Sequence, residues 1–132
     1  MTRKHYPTWL RRRRHDAADG DTLAALAAAL SAQDHGATRG LLRADVVVII
    51  DSGGHLPTPS SPVIGRPDAA SELLALMAPD TDFADASVNG IPGLTLIREQ
   101  RVVGVLTAEG RSGLLSSVWV VCNPEKLHRW NR

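Results

Sequence analysis

Apolar positions in the first part of the chain recur at helical spacing. Leucines three and four residues apart predict an amphipathic helix over residues 22–33, and either Asp19 or Asp21 can cap its first turn. A second short helix is expected around Leu41-Leu42. A third is predicted to begin at Pro67, because proline fits the first helical turn. Its apolar stripe consists of Ala70, Leu73, Leu74 and Met77.

The rest of the apolar pattern is typical of β-strands. Val46–Ile50 is β-branched throughout, and since its apolar residues do not alternate, both of its faces should be covered. Further strands are predicted at about 83–88, 94–98, 102–108 and 114–122, the last three forming an antiparallel meander. Asn89-Gly90 and Pro92-Gly93 are predicted turns. Helices grouped ahead of antiparallel strands indicate an α+β domain.

Length and charge divide the chain into a short arm and one domain. The 132 residues are 43% hydrophobic, as in an ordinary globular domain. Residues 1–15 carry six of the 15 lysines and arginines and no acid, so nine basic residues face all 14 acidic ones in the remainder. We therefore predict a basic arm over 1–16, which either contacts nucleic acid or is a solvated linker, and a single domain over 17–132.

No targeting or membrane signal stands out in the sequence. The longest strongly apolar run is too short to span a bilayer, and the N-terminal residues are basic and polar rather than apolar as in a leader. Cys122 is the single cysteine, which excludes an internal disulfide. These features favour a cytoplasmic location.

Four motifs follow one another in a recognisable order. They are Asp45–Ile50 followed by Asp51-Ser52-Gly53-Gly54, Pro62-Val63-Ile64-Gly65 with the helix after it, Val88–Gly93, and Asn123-Pro124-Glu125-Lys126-Leu127. Together they resemble the SnoaL-like C-terminal domain of extracytoplasmic-function sigma factors. The resemblance implies the cone-shaped α+β fold of the nuclear transport factor 2 superfamily, in which a curved, mostly antiparallel sheet surrounds about three helices. Because only a short arm precedes the domain, we expect a stand-alone relative or a fragment of a longer protein.

The resemblance also implies where a partner binds. In sigma factors of this kind the SnoaL-like domain packs against the sigma regions. The residues expected to contact a partner here are therefore Asp51-Ser52-Gly53-Gly54 and Asn123-Pro124-Glu125-Lys126-Leu127. The expected partner is a sigma factor or an RNA polymerase component, and direct contact with nucleic acid is confined to the basic arm.

Enzymes of the superfamily use a pocket carboxylate or histidine as general acid or base. Asp51 is the candidate base, with His55 as its candidate catalytic partner, whereas the structural alternative is that Asp51 caps the turn that follows it. Asn89 and Trp119 are candidate ligand-binding residues if their sheet face is concave. On a convex face Trp119 would anchor an interface, whereas the favoured interpretation is a core tryptophan. The single tyrosine, Tyr6, lies in the arm, so the domain has no tyrosine to stabilise an oxyanion.

The sequence favours binding over catalysis. No spacing of histidine, cysteine, aspartate or glutamate suits a metal, and Gly53-Gly54 is not followed by the helix that a phosphate-binding loop requires, so we expect no metal and no cofactor. The favoured function is a non-enzymatic regulatory or small-ligand-binding domain, with a small apolar ligand in the cone. The alternative is an isomerase or hydrolase that uses Asp51 as general base. Strands apolar on both faces further predict a homodimer through the sheet.

Overall fold

The computed structural model describes residues 16–56 and 58–131, so the predicted basic arm lies outside the described residues. The described residues form three α-helices and six strands. The helices are α1 (Gly20–Ser31), α2 (His35–Gly40) and α3 (Arg66–Leu76). The strands are β1 (Leu42–Asp51), β2 (Val63–Ile64), β3 (Asp82–Val88), β4 (Ile91–Arg98), β5 (Arg101–Arg111) and β6 (Leu114–Val121). Two 3-10 turns, Pro124–Lys126 and His128–Asn131, follow β6.

The six strands form one curved sheet in the order β2-β1-β6-β5-β4-β3. Strands β1 and β6 run parallel, and every other neighbouring pair is antiparallel. Register shifts interrupt the β1–β6, β4–β5 and β5–β6 ladders, and such bulges bend strands. The prediction of an α+β domain with a curved, mostly antiparallel sheet around three helices is confirmed.

The helices pack on one face of the sheet and form the main core with it. Leucines of α1 and α3 are fully or almost fully buried against inward-facing residues of the strands. The buried side chains of this core include Leu26, Leu73, Val48, Leu106, Val118 and Val120. The helical stripes expected from leucine spacing are therefore the faces that cover the sheet.

Aspartates mark the first two helix starts. Asp19 caps α1, where its Oδ1 accepts a hydrogen bond from the Thr22 N–H at 2.8 Å, and hydrogen bonds from Thr22 hold the pKa of Asp19 below its usual value. Asp34 caps α2 in the same way. This second cap corrects the predicted position of the second helix: α2 ends before Leu41-Leu42, and Leu42 is the first residue of β1. Pro67 lies in the first turn of α3, as expected.

The β3–β4 connection is shorter than predicted. Asn89 and Gly90 form it alone, with φ of 52° and 83°, which is the type I′ geometry that asparagine-glycine favours. Pro92-Gly93, predicted as a turn, lies within β4. Pro92 precedes the part of β4 that pairs with β5, so its missing N–H removes no bond from that ladder. A Cβ on Gly93 would lie 2.8 Å from the Leu106 carbonyl oxygen, so this glycine permits close packing of β4 on β5.

A bulge in β6 decides which of its side chains face the helices. Glu109 pairs with Ser117 while Gly110 pairs with Leu115, so Ser116 is an extra residue in the ladder. Strict alternation would put Leu115 on the face that carries Trp119. With the bulge, Leu115 joins the main core, and Trp119 lies on the opposite face of the sheet.

The β4–β5 turn generates a prediction about stability. Glu99 and Gln100 have φ of 51° and 65°, a left-handed conformation that disfavours residues other than glycine and asparagine. We expect the double substitution Glu99→Asn with Gln100→Gly to raise the free energy of unfolding by about 1 kcal/mol. Urea denaturation followed by circular dichroism measures this change.

The β5–β6 turn supplies the reciprocal control. Gly113 already occupies a left-handed position there, with φ of 77° and open space around it, so Gly113→Gln should destabilise the protein. An unchanged or lower stability of the Glu99→Asn/Gln100→Gly variant would contradict the assignment of strain to this turn.

Candidate functional site

Parallel pairing of β1 and β6 brings the two predicted partner-binding motifs together at the C-terminal ends of these strands. Asp51 ends β1 and pairs with Val121, the last residue of β6. The Cys122 N–H continues the ladder by donating to the Asp51 carbonyl oxygen at 2.8 Å. The turn after β1 and the segment after β6 therefore lie side by side, although the sequence separates them widely.

Asp51 connects the two motifs through both of its carboxylate oxygens. Its Oδ1 accepts a hydrogen bond from the Gly53 N–H at 3.1 Å, which caps the turn. Its Oδ2 lies 2.6 Å from the Lys126 Nζ, an ion pair between residues 75 positions apart. The Lys126 side chain is 52% exposed and that of Asp51 25% exposed, so solvent screens this pair and its contribution to stability is modest.

Gly53 and Asn123 are interlocked at the centre of this contact. Gly53 has φ of 64°, and a Cβ built on it would lie 2.5 Å from the Asn123 side-chain amide. The Asn123 side chain is buried, and its Oδ1 accepts from the Glu125 N–H at 3.1 Å, which caps the first 3-10 turn. Glycine is required here both for its left-handed backbone and for the absence of a side chain.

Leu127 fixes the second motif to the sheet. It is 3% exposed and forms a second apolar cluster with Val88 and Val105 on the sheet face opposite the helices. The chain beyond it is held by Asn131, whose amide bonds both the N–H and the carbonyl of Val102 on β5, at 2.7 and 2.9 Å. Asn131 thereby occupies the backbone groups of β5 beyond the end of β6.

The residues between these anchors form one exposed face, which we call the turn surface and define as residues 51–56 and 123–127. Gly53, Gly54, His55, Leu56, Pro124 and Glu125 are exposed on it. Leu56 is 44% exposed, which makes it one of the few large hydrophobic residues in contact with solvent in the described part of the chain. Ser52 is buried, and its Oγ accepts a hydrogen bond from the Thr58 hydroxyl at 3.0 Å.

A cleft of about 360 Å³ opens beside the turn surface. Its basic residues are His55, Arg98, Arg101 and His128, and no acidic residue of the described chain lines it. Its apolar wall is formed by Leu56, Val102, Val103, Cys122, Pro124 and Leu127. Burial raises the pKa of the Cys122 thiol, the Asp51 carboxylate raises it further, and the Arg98 guanidinium opposes both. The thiol is therefore protonated at neutral pH and a poor nucleophile.

Solved structures of similar shape identify the fold. The extracytoplasmic-function sigma factor SigJ of Mycobacterium tuberculosis matches with 25% sequence identity and a TM-score of 0.65. The match covers 92% of this chain and 48% of the sigma factor, so the chain spans about half of that protein's length. The chain is a SnoaL-like domain with the nuclear transport factor 2 fold.

More distant structures share the fold. A nuclear transport factor 2-like protein of unknown function from Burkholderia xenovorans is 15% identical, with a TM-score of 0.56 over 85% of this chain and 91% of its own. A candidate ketosteroid isomerase from Kribbella flavida is 18% identical, with a TM-score of 0.53 over 76% of this chain and 74% of its own. No protein-family model and no curated protein matches the sequence.

The candidate catalytic pair of the SnoaL-like domain, Asp51 and His55, lies at the turn after β1. The Asp51 carboxylate is engaged by Gly53 and Lys126, and by strand alternation it faces away from the helices, as does its ladder partner Val121. His55 is exposed, and its backbone N–H donates to the Ser52 carbonyl within the turn. Among the described residues no hydrogen bond joins the Asp51 and His55 side chains. The structural alternative for Asp51, a turn cap, is present.

The two candidate ligand-binding residues of the domain lie apart. Asn89 is exposed in the β3–β4 turn. Trp119 is partly buried in β6, where it pairs with Ile49 and Thr107 on the face opposite the helices. Strand β5 lies between β6 and the β3–β4 hairpin, so the two residues are not neighbours.

A second, polar cleft of about 440 Å³ lies at the other end of β5 and β6. There the Ser117 hydroxyl donates to Oε1 of the buried Glu109 at 3.0 Å, and the Arg111 guanidinium lies 3.1 Å from the Asp16 carboxylate. The sequence carried a signal for it, since Glu109 interrupts an apolar strand. No comparable signal in the sequence marked the basic residues of the first cleft, because arginines beside a hairpin turn are normally solvated.

The described residues give no sign of a metal site or a membrane span. Among residues 16–56 and 58–131, no three histidine, cysteine, aspartate or glutamate side chains come together in a way that could hold a metal ion. Every helix of this part of the domain is too short or too polar to cross a bilayer.

The glycine pair of the turn tests the interlocking. An alanine at 53 meets both backbone strain and Asn123, whereas Gly54, with φ of 81°, has open space around its Cα and meets strain alone. We expect Gly53→Ala to lower the free energy of unfolding by about 1–3 kcal/mol more than Gly54→Ala, as overpacking does. Urea denaturation of both variants measures the difference.

Removing the clashing amide supplies the control. In the Gly53→Ala/Asn123→Ala double variant the excess loss should shrink, since the two residues are coupled through direct contact. Equal losses in the two glycine variants would show that the close approach of Asn123 has no energetic importance.

Proposed function

We propose that this SnoaL-like domain is a non-enzymatic regulatory module that binds a protein partner through the turn surface. The observation that carries the proposal is the meeting of two distant motifs in a single exposed face. Buried Asn123 and Leu127 hold this face from beneath, and the partly exposed Asp51–Lys126 ion pair joins its two motifs. Rigid anchors reduce the entropy that a docking surface loses on binding.

The sigma-factor structure suggests the nature of the partner. In that protein the matched region is 48% of the chain, so a domain of this fold is covalently joined to about as much further polypeptide. By analogy, the proposed partner is the part of an extracytoplasmic-function sigma factor outside its SnoaL-like domain. A cytoplasmic location fits this role. Nucleic-acid contact through the arm and a small apolar ligand in the cone stay predictions.

The geometry around Asp51 favours binding over catalysis. Acid–base catalysis needs a positioned base with a pKa near working pH and a stabiliser for developing negative charge. The Asp51 carboxylate is instead paired with Lys126 at the sheet edge, and the Cys122 thiol is protonated. The ketosteroid isomerase-like structure from Kribbella flavida keeps an enzymatic alternative open, in which Asp51 is the base.

Self-association stays a separate prediction. The large hydrophobic residues exposed in the described chain are Leu56, Ile64 and Leu114, and they lie outside the middle of the sheet. Val105 and Thr107, on the sheet face opposite the helices, are buried within the single chain. Any homodimer is therefore proposed to use edges and turns more than a broad apolar sheet face.

Exposed leucines at opposite ends of the sheet test the proposed docking. We expect Leu56→Asp to weaken binding of the helical regions of extracytoplasmic-function sigma factors from the same organism by at least about tenfold, because a charge replaces an apolar contact worth about 1.5–3 kcal/mol. Leu114→Asp makes the same chemical change at 36% exposure and far from the turn surface, and should leave affinity unchanged. Isothermal titration calorimetry with purified proteins measures both.

Circular dichroism of each variant shows whether the fold is intact. Equal affinities for the wild type, Leu56→Asp and Leu114→Asp, or no binding by the wild type to any of these sigma regions, would contradict docking through the turn surface.

A substrate screen tests the enzymatic alternative. We expect no turnover of small ketones or epoxides by the wild-type domain, because the Asp51 carboxylate is occupied and faces away from the helices. Product formation followed by chromatography is the measurement. Asp51→Asn and Lys126→Gln break the same ion pair, and only the first removes the carboxylate. Turnover that Asp51→Asn abolishes and Lys126→Gln retains would overturn the non-enzymatic proposal.

A further inference from the structure

The cleft beside the turn surface has an unbalanced charge. We propose that it binds an acidic segment of the partner protein that also presents a large apolar side chain. The inference rests on the proposed function and adds the chemistry of the segment that docks. It is based on three features of the cleft: Arg98, which is held in place, Arg101 directly opposite it, and an apolar wall. No acidic residue in the described part of the chain lines the cleft.

Arg98 carries a positive charge that is fixed in place by neutral groups. Its Nε donates to the Thr81 hydroxyl at 2.8 Å, and its second guanidinium nitrogen donates to the Leu76 carbonyl at 2.7 Å. The side chain is partly buried, and no carboxylate of the described chain forms an ion pair with it. The guanidinium is preorganised, so an incoming carboxylate gains a charge-assisted hydrogen bond at little entropic cost.

Arg101 places a second positive charge at the same point of the sheet. It pairs directly with Arg98 across the β4–β5 ladder, and like charges in directly opposite positions destabilise an antiparallel pair. An external carboxylate between the two arginines would remove that repulsion. His55 and His128 line the same cleft and supply further hydrogen-bond donors.

The carboxylates closest in sequence do not neutralise this cluster. Asp51 is committed to Lys126 and to the turn. Glu99 lies exposed in the β4–β5 turn and Glu125 lies exposed on the first 3-10 turn, and neither lines the cleft. Within residues 16–56 and 58–131, no carboxylate forms an ion pair with Arg98 or Arg101.

The apolar wall argues for a protein segment over a small anion or a nucleic acid. Leu56, Val102 and Leu127 offer a surface that a simple carboxylate would leave uncovered, whereas an apolar side chain next to an acidic one covers it. Outside the first 15 residues the chain has nine basic and 14 acidic residues, an excess of negative charge that repels a long polyanion. A short acidic segment would contact only the positively charged cleft and would not extend over the acidic remainder of the surface.

Fluorescence anisotropy with a labelled synthetic peptide tests the proposal. The probe is a short fluorescein-labelled peptide in which aspartates flank leucine, and two matched peptides replace either the aspartates by asparagine or the leucine by alanine. We expect the acidic, leucine-containing peptide to bind the wild-type domain most tightly, with an affinity that falls as salt rises.

Arginine variants locate the binding. Arg101 is exposed, so we expect Arg101→Gln to keep the fold and to weaken peptide binding roughly fivefold, about the effect of one exposed ion pair. Arg98→Lys keeps the charge but not the planar fork, and should also weaken binding. Arg43→Gln is the control, since Arg43 is exposed at the opposite end of β1 and should leave binding unchanged.

Several results would overturn the acidic-segment proposal. These are no binding by the wild type, equal binding of the asparagine peptide, equal affinities of Arg101→Gln and the wild type, displacement of the peptide by equimolar succinate, and tighter binding of a single-stranded oligonucleotide.

The sigma-region titrations separate this failure from failure of the proposed function. If Leu56→Asp no longer binds the sigma regions while Arg101→Gln binds them with wild-type affinity, docking through the turn surface is supported and the proposal of an acidic segment in the cleft is wrong.

Discussion

Every feature of the candidate site depends on the parallel pairing of β1 with β6. In an antiparallel pair the end of one strand lies beside the start of its neighbour, but two parallel strands have their C-terminal ends side by side. Asp51 and Val121 therefore finish together, and the chain continues from both into the space beyond the sheet. The crossover between the two strands contains β2, α3 and the β3–β5 meander.

The two interlocked motifs combine support and exposure within a few residues. Gly53 has no side chain, so the Asn123 amide can pack directly against it. Asn123 in turn caps the 3-10 turn that presents Pro124 and Glu125. Lys126 reaches back to Asp51. Residues that look like a recognition motif in the sequence thus include several whose role is to hold the others in place. The exposed residues between them, together with Leu56, are those that a partner can contact.

Both edge strands of the sheet are protected from pairing with another chain. At one edge β2 is only two residues long, and at the other β3 carries exposed aspartates at 82 and 85. Short and charged edges discourage pairing with another chain. At the start of β5, the Asn131 side chain satisfies the Val102 backbone groups, which lie beyond the last residue of β6. The turn surface lies instead at the ends of the central strands β1 and β6, where apolar and charged groups are exposed together.

The sequence by itself determined the elements and their class, because helical leucine spacing, β-branched runs and asparagine-glycine turns act over a few residues. It did not determine where Pro92-Gly93 and Leu42 belong, since the first fits a turn and the second a helix locally, and their neighbours in the sheet place them in strands. Only the tertiary structure decided that Leu115 faces the helices and that Asp51 meets Lys126. Those contacts depend on bulges and on the pairing of distant strands, which are long-range interactions that no local pattern records.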